Sequence, residues 1–204
     1  MSKIIGVHIS GVPVGVIKDY IGGTLPAKFL FTDGKTIGNA SSSATARANA
    51  DTQALFVHLW NNMANAQAPV SGGRGVSAVA DFSANKTITL PDARGRSLVG
   101  KDDMGGTAAS RMTVGGSGVD GVTLGAAGGE QSHLLTGSES GTSAHAHGSN
   151  IVGNNTGGYS TNVMASAGTN SASWSTPNSA EVNASSPHNN TQPSLVCNKM
   201  IAFA

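Results

Sequence analysis

Cysteine is nearly missing: Cys197 stands alone among 204 residues, which excludes an intrachain disulfide framework and a cysteine-based zinc site. Charge is scarce too, at 11% against the roughly 25% of an ordinary globular domain. Aromatic side chains make up only 4%. With 12 basic and 11 acidic residues the formal charge is +1, so the electrostatic footprint that would hold nucleic acid or an anionic bilayer is absent. No run approaches the roughly 20 apolar residues of a membrane helix, and the opening MSKIIGVHIS lacks a signal peptide's apolar centre. The chain is therefore expected to be soluble and not exported by the secretory route. What it has in quantity is backbone punctuation, 28 Gly and 7 Pro, so long regular elements are not expected.

The small net charge conceals an asymmetry. Residues 1–111 carry 11 basic and 7 acidic side chains, whereas residues 112–198 contain no Lys or Arg and only Asp120, Glu130, Glu139 and Glu181. The first region reads as a folding domain. Val12 to Tyr20 and Lys28 to Phe31 are rich in strand formers, and Asp33-Gly34 supplies a pair favoured in tight hairpins. Asp51 is a plausible N-cap for a helix in which Leu55, Phe56, Leu59, Trp60 and Met63 share one face. Thr87 to Leu90 makes a brief strand-like approach to a turn at Pro91-Asp92.

The second region, roughly residues 105–186, is mostly Gly, Ser, Thr, Ala and Asn. Alone it buries too little apolar surface to offset a backbone ordering cost of about 1–2 kcal/mol per residue. It must be disordered or take a core from other chains. Ser194 to Phe203 is strand-like again and is expected to return to the first domain, making the low-complexity stretch an excursion anchored at both ends.

Within that stretch, Ser143-Ala144-His145-Ala146-His147-Gly148 holds two histidines at i and i+2. On an extended strand both leave the same face, about 7 Å apart. Three parallel chains around an axis would bring six imidazole nitrogens to one point, which suits an octahedral ion such as Fe(II), Ni(II) or Co(II) better than zinc. By itself the triplet reads first as two solvated loop histidines. A surrounding stretch with no core weighs against that, since an axial metal is one of few devices able to order it.

Four blocks then resemble the phage tail collar family, which forms distal parts of tail fibres such as those of T-even phages. They are Val12-Pro13-Val14-Gly15-Val16-Ile17 with Pro26-Ala27-Lys28-Phe29-Leu30-Phe31-Thr32-Asp33-Gly34, Leu55-Phe56, Leu90-Pro91-Asp92-Ala93-Arg94-Gly95-Arg96, and His188-Asn189-Asn190-Thr191-Gln192-Pro193-Ser194-Leu195. The resemblance covers roughly residues 1–100 and 188–204. Three departures stand out: Lys28 where the family has glycine, Thr32 where it often has cysteine, and Asn198-Lys199-Met200 where it has an aromatic strand.

The resemblance implies a mostly β chain with one short helix, in an elongated, intertwined homotrimer. Residues 1–98, completed by 186–204, would form a collar-like base, and residues 99–185 a trimeric needle and distal receptor-binding head. His145 and His147 match the family's axial iron motif, implying one structural Fe(II) or similar ion per trimer. Isolated large aromatics supply stacking surface and protein anchors, so Tyr159 and Trp174 are candidate receptor contacts, with packing inside the trimer the alternative. The implied function is non-catalytic: attachment of a virion, at the distal end of its tail fibre, to bacterial polysaccharide or an outer-membrane protein. A phage-derived injection or bacteriocin particle has the same physics. A tail-associated polysaccharide depolymerase is the enzymatic alternative, but the distal region offers only four scattered carboxylates for a reaction that needs two in position.

The remaining candidates read as structural. Asp92 beside Arg94 and Arg96 is expected to cap a turn, with the arginines depressing its pKa. Gly95 to Asp102 falls one residue short of a phosphate loop, and Gly116-Ser117-Gly118-Val119-Asp120-Gly121 fits a dinucleotide pattern that opens no helix. His133 is expected to cap or hydrogen-bond, His188 to be structural, and His58 to lie in the core or an interface.

Overall fold

The computed structural model of the chain describes residues 11–135, 139 and 187–204. They fall into two units, Met1–Gly129 with Ser194–Ala204, and Glu130–Pro193. The described residues form a small mixed structure, with several short strands in small sheets and three α-helices.

The first unit contains two three-stranded sheets. In one, β8 (Asn198–Ala202) lies between β1 (Ile17–Tyr20) and β2 (Phe29–Phe31), antiparallel to both. Ile201 is opposite Ile17 across one edge and Leu30 across the other. Period-two alternation splits this strand between two clusters: Ile201 and Phe203 join the main core, while Met200 and Ala202 pack with Phe29 on the opposite face. A one-residue slip would exchange the two sets, so both clusters hold the register.

The second sheet orders β4 (Arg47–Ala48), β3 (Thr36–Gly38) and β5 (Thr87–Thr89), with β3 parallel to β4 and antiparallel to β5. Helix α1 (Gln53–Asn62) buries Leu55, Phe56 and Leu59 against Ile37 and Ile88. Helix α2 (Ala78–Ser83) brings the Phe82 ring edge-on to Phe56 at 5.3 Å, a geometry that adds about 0.5–1.5 kcal/mol to plain burial.

Four local expectations are corrected. The chain has three helices among the described residues where one was expected; α2 opens on Ser77, whose hydroxyl accepts from the Ala80 amide at 3.2 Å, and α3 (Val114–Ser117) is a single turn. Asp51 is not the helix cap. Asn49 has the extended backbone a cap requires (φ −159°, ψ 148°) and starts a 3₁₀ turn, Ala50–Thr52, that leads into α1. Asp51 lies inside that turn and pairs bidentately with Arg47 at 2.7 and 2.5 Å. Asp33-Gly34 closes no hairpin: with Gly34 at φ 76°, the turn carries the chain from β2 in one sheet to β3 in the other. The strand expected over residues 12–20 begins only at Ile17, after the left-handed Gly15.

Asp81 ties α2 to α1. It is 3% exposed and accepts from the Trp60 indole at 2.9 Å and the Gly75 amide at 2.8 Å, while Lys86 pairs with it at 2.8 Å. Burial pushes its carboxyl pKa up, but Lys86, the Gly75 amide and the indole outweigh that and leave it below its ordinary value. Asp81→Ala should therefore lower unfolding free energy by about 3 kcal/mol, because Trp60, Gly75 and Lys86 all lose their acceptor. A carboxyl with a lowered folded pKa contributes stability above its unfolded value and loses it as pH falls through the folded one. Urea titrations of both proteins should thus show a gap that narrows in acid; equal midpoints at neutral pH would refute this role.

Lys28 adopts φ 70°, a left-handed conformation that costs an L-residue about 1–2 kcal/mol and glycine little. Lys28→Gly should raise unfolding free energy by about 1 kcal/mol. A lower urea midpoint in the variant would contradict it.

Candidate functional site

Among the described residues of the second unit, one short strand pairing is present. Strand β6 (Ser132–His133) runs antiparallel to β7 (His188–Asn189), placing Ser132 opposite Asn189 and His133 opposite His188. The Asn190 amide adds a bond to the Gln131 carbonyl at 3.0 Å, and the Asn189 side chain accepts from the Thr191 amide at 2.7 Å. Two residues per strand give little stability by themselves, so the side chains on this pair matter.

His133 is gripped from both sides. Its Nδ1 meets the Glu130 carboxylate, and its Nε2 lies 3.2 Å from Oε2 of Glu139. The His188 ring stands edge-on to it, centroids 6.0 Å apart and planes at 87°. A neutral imidazole has one donor and one acceptor, whereas an imidazolium has two donors. Carboxylates at both ring nitrogens therefore select the protonated ring. Glu139, then Glu130, hold its pKa above the ordinary histidine value, against a smaller opposing effect of burial. The His133 side chain is 30% exposed and the two glutamates about half exposed, so solvent screens the pairs. This arrangement favours the protonated ring and brings Glu130 and Glu139 to its two nitrogens. Among the described residues no group of three or more His, Cys, Asp and Glu is placed to hold a metal ion.

The sequence candidates fare differently. His145, His147, Tyr159 and Trp174 lie outside the described residues. His133 and His188, noted separately in the sequence, face each other across β6 and β7. His58 is exposed, not core; its imidazole lies over Gly15, where a Cβ would come within 2.5 Å of Nε2. Asp92 does cap its turn. It accepts from the Arg94 amide at 3.1 Å and binds the Arg94 guanidinium at 2.8 and 2.7 Å, and Arg94 holds its carboxyl well below the usual range, at about 2. Lys101 is paired with Asp103 at 2.7 Å and precedes no helix in residues 102–110. The glycine motif at residues 116–121 ends helix α3, with Gly118 as a left-handed C-cap at φ 69°.

The part sequence reasoning missed is the meeting of Glu130, Glu139 and His133. Glu130 and His133 stand three apart, a spacing that hinted at contact, but nothing in the sequence signalled that Glu139 folds back to the same ring.

No family model, no curated protein and no solved structure matches this chain.

The His133 ring should titrate above the reference value of about 6.5, followed by its carbon-bound proton resonances in NMR, and Glu139→Gln should move the midpoint down. A wild-type midpoint at or below the reference would show that the two carboxylates do not grip the protonated ring.

Proposed function

We propose that the chain is the distal part of a homotrimeric attachment fibre of a phage or phage-derived particle. It would bind bacterial surface polysaccharide or an outer-membrane protein without catalysis. The supporting observation is an ordered stretch with no core. From residue 94 to 135 Gly121 is the one buried residue, and Leu98, Met104, Val114 and Leu134 are all more than half exposed. In the returning segment Leu195 and Val196 are 83% and 93% exposed. Single exposed apolar residues are ordinary, but a run this long with none buried marks a surface made to be covered.

Burying each such side chain is worth about 1.5–3 kcal/mol, and fixing each backbone residue costs about 1–2 kcal/mol. The contacts that offset that cost are expected from other copies of the chain. Three copies are favoured because His145 and His147 would then supply six imidazoles, a donor set suited to Fe(II) or another octahedral ion. Such an ion would cross-link the three chains between the base and a head carrying Tyr159 and Trp174. Three identical heads would multiply weak contacts through effective concentration. Among the described residues no helix is long and apolar enough to cross a membrane, and the near-neutral charge offers nucleic acid nothing to bind.

Native mass spectrometry should give three times the 20.3 kDa chain mass, with about one transition-metal ion per three chains by elemental analysis. The double variant His145→Ala with His147→Ala should lose the metal. A monomeric mass would overturn the fibre reading, and metal retained by the double variant would overturn the ligand assignment. Fragments released from host polysaccharide would favour the depolymerase instead.

A further inference from the structure

We propose that His133 is a proton-operated clamp at the root of the segment that leaves β6 and returns at β7. The inference rests on the geometry of the second unit alone and stands apart from the number of chains in the assembly. Among the described residues three titratable groups face the ring: Glu130 and Glu139 from the residues flanking β6, and His188 from β7. With the ring protonated, both nitrogens donate, and residues 130 and 139 are drawn to opposite sides of one imidazole. When the proton leaves, one nitrogen becomes an acceptor facing a carboxylate, which has no hydrogen to give it.

The contact that then opens is the one to Glu139. It is long at 3.2 Å and reaches across six residues, whereas Glu130 is only three residues away and closer. The Glu139 carboxylate then no longer holds the ring at Nε2. The cross-strand pair of His133 and His188 loses one of its supports; among the described residues β6 and β7 are joined by two residue pairs and the Asn190 to Gln131 bond. Because the folded ring binds its proton more tightly than the unfolded one, the clamp is fully closed below the reference pKa of about 6.5 and opens as pH rises through the higher folded value.

The clamp can be tested by amide hydrogen exchange on the full chain, with rates corrected for intrinsic pH dependence, at about pH 6, below the reference pKa of about 6.5, and at about pH 8.5, two units above it. The Asn190 amide should lose protection at the higher pH, while the Ala202 amide, bonded to the Val16 carbonyl in the other unit, should not. Glu139→Gln is the discriminating variant: its amide can donate to a neutral imidazole, so Asn190 should stay protected at both pH values. His133→Gln should likewise abolish the pH response. Equal protection of wild-type Asn190 at both pH values would overturn the proposal, as would a Glu139→Gln protein that opens as the wild type does.

Discussion

Ile201 lies between Ile17 on one side and Leu30 on the other, 1% exposed, and the first unit depends on the strand that carries it. Strand β8 is the middle of its sheet and feeds two apolar clusters on opposite faces. Its partners come from near the start of the chain. The sheet cannot close until the last residues arrive, so every residue between β2 and β8 is looped out of this pairing. The entropy cost of closing so long a loop grows only slowly with length, which is why a chain can carry a long insertion between the strands of one sheet.

That constraint shapes the chemistry of the remainder. Where the chain can reach the core it uses side chains of ordinary size, such as Phe56, Ile37 and Ile88. Over residues 94–135 it does not, and order is kept by short-range polar devices. Asp102 accepts from the Ser110 and Arg111 amides at 2.7 and 3.1 Å, and Asp120 from the Val122 amide at 3.1 Å and the Thr123 hydroxyl at 2.5 Å. Such turns fix the backbone locally and leave apolar side chains facing outward, which is the arrangement expected of a surface completed by further chains. The His133 clamp proposed above would belong to the same economy, two carboxylates and one ring meeting beside a two-residue strand pair.

Much of the first unit was legible in the sequence because its signals are local or periodic. The spacing of Leu55, Phe56, Leu59 and Met63 gave α1, and the strand-like segment ending at Phe203 gave β8. Asp92 was readable as a turn cap because its partner lies two residues away. What escaped needed long-range information. The cap at Asn49 in place of Asp51 depends on where β4 ends, and the crossing at Asp33-Gly34 depends on which sheet β3 joins, neither of which a dipeptide reports. Lys28 is an instructive case: the resemblance marks a glycine position, and the left-handed backbone at Lys28 supplies the physical reason a glycine suits it. The grip on His133 was only half visible, since Glu139 reaches it through a fold-back rather than a spacing.

The central claim is that the exposed apolar side chains of residues 94–135 are covered by other copies of the chain. Met104 reports on this directly, being 77% exposed in one chain, whereas Met200 is 5% exposed and serves as the buried internal standard. Peroxide converts accessible methionine to its sulfoxide, and mass spectrometry can follow each site in the native protein. The account predicts that Met104 resists oxidation nearly as well as Met200 until the assembly is dissociated. Oxidation of Met104 in the native protein at the rate of a free methionine would contradict it.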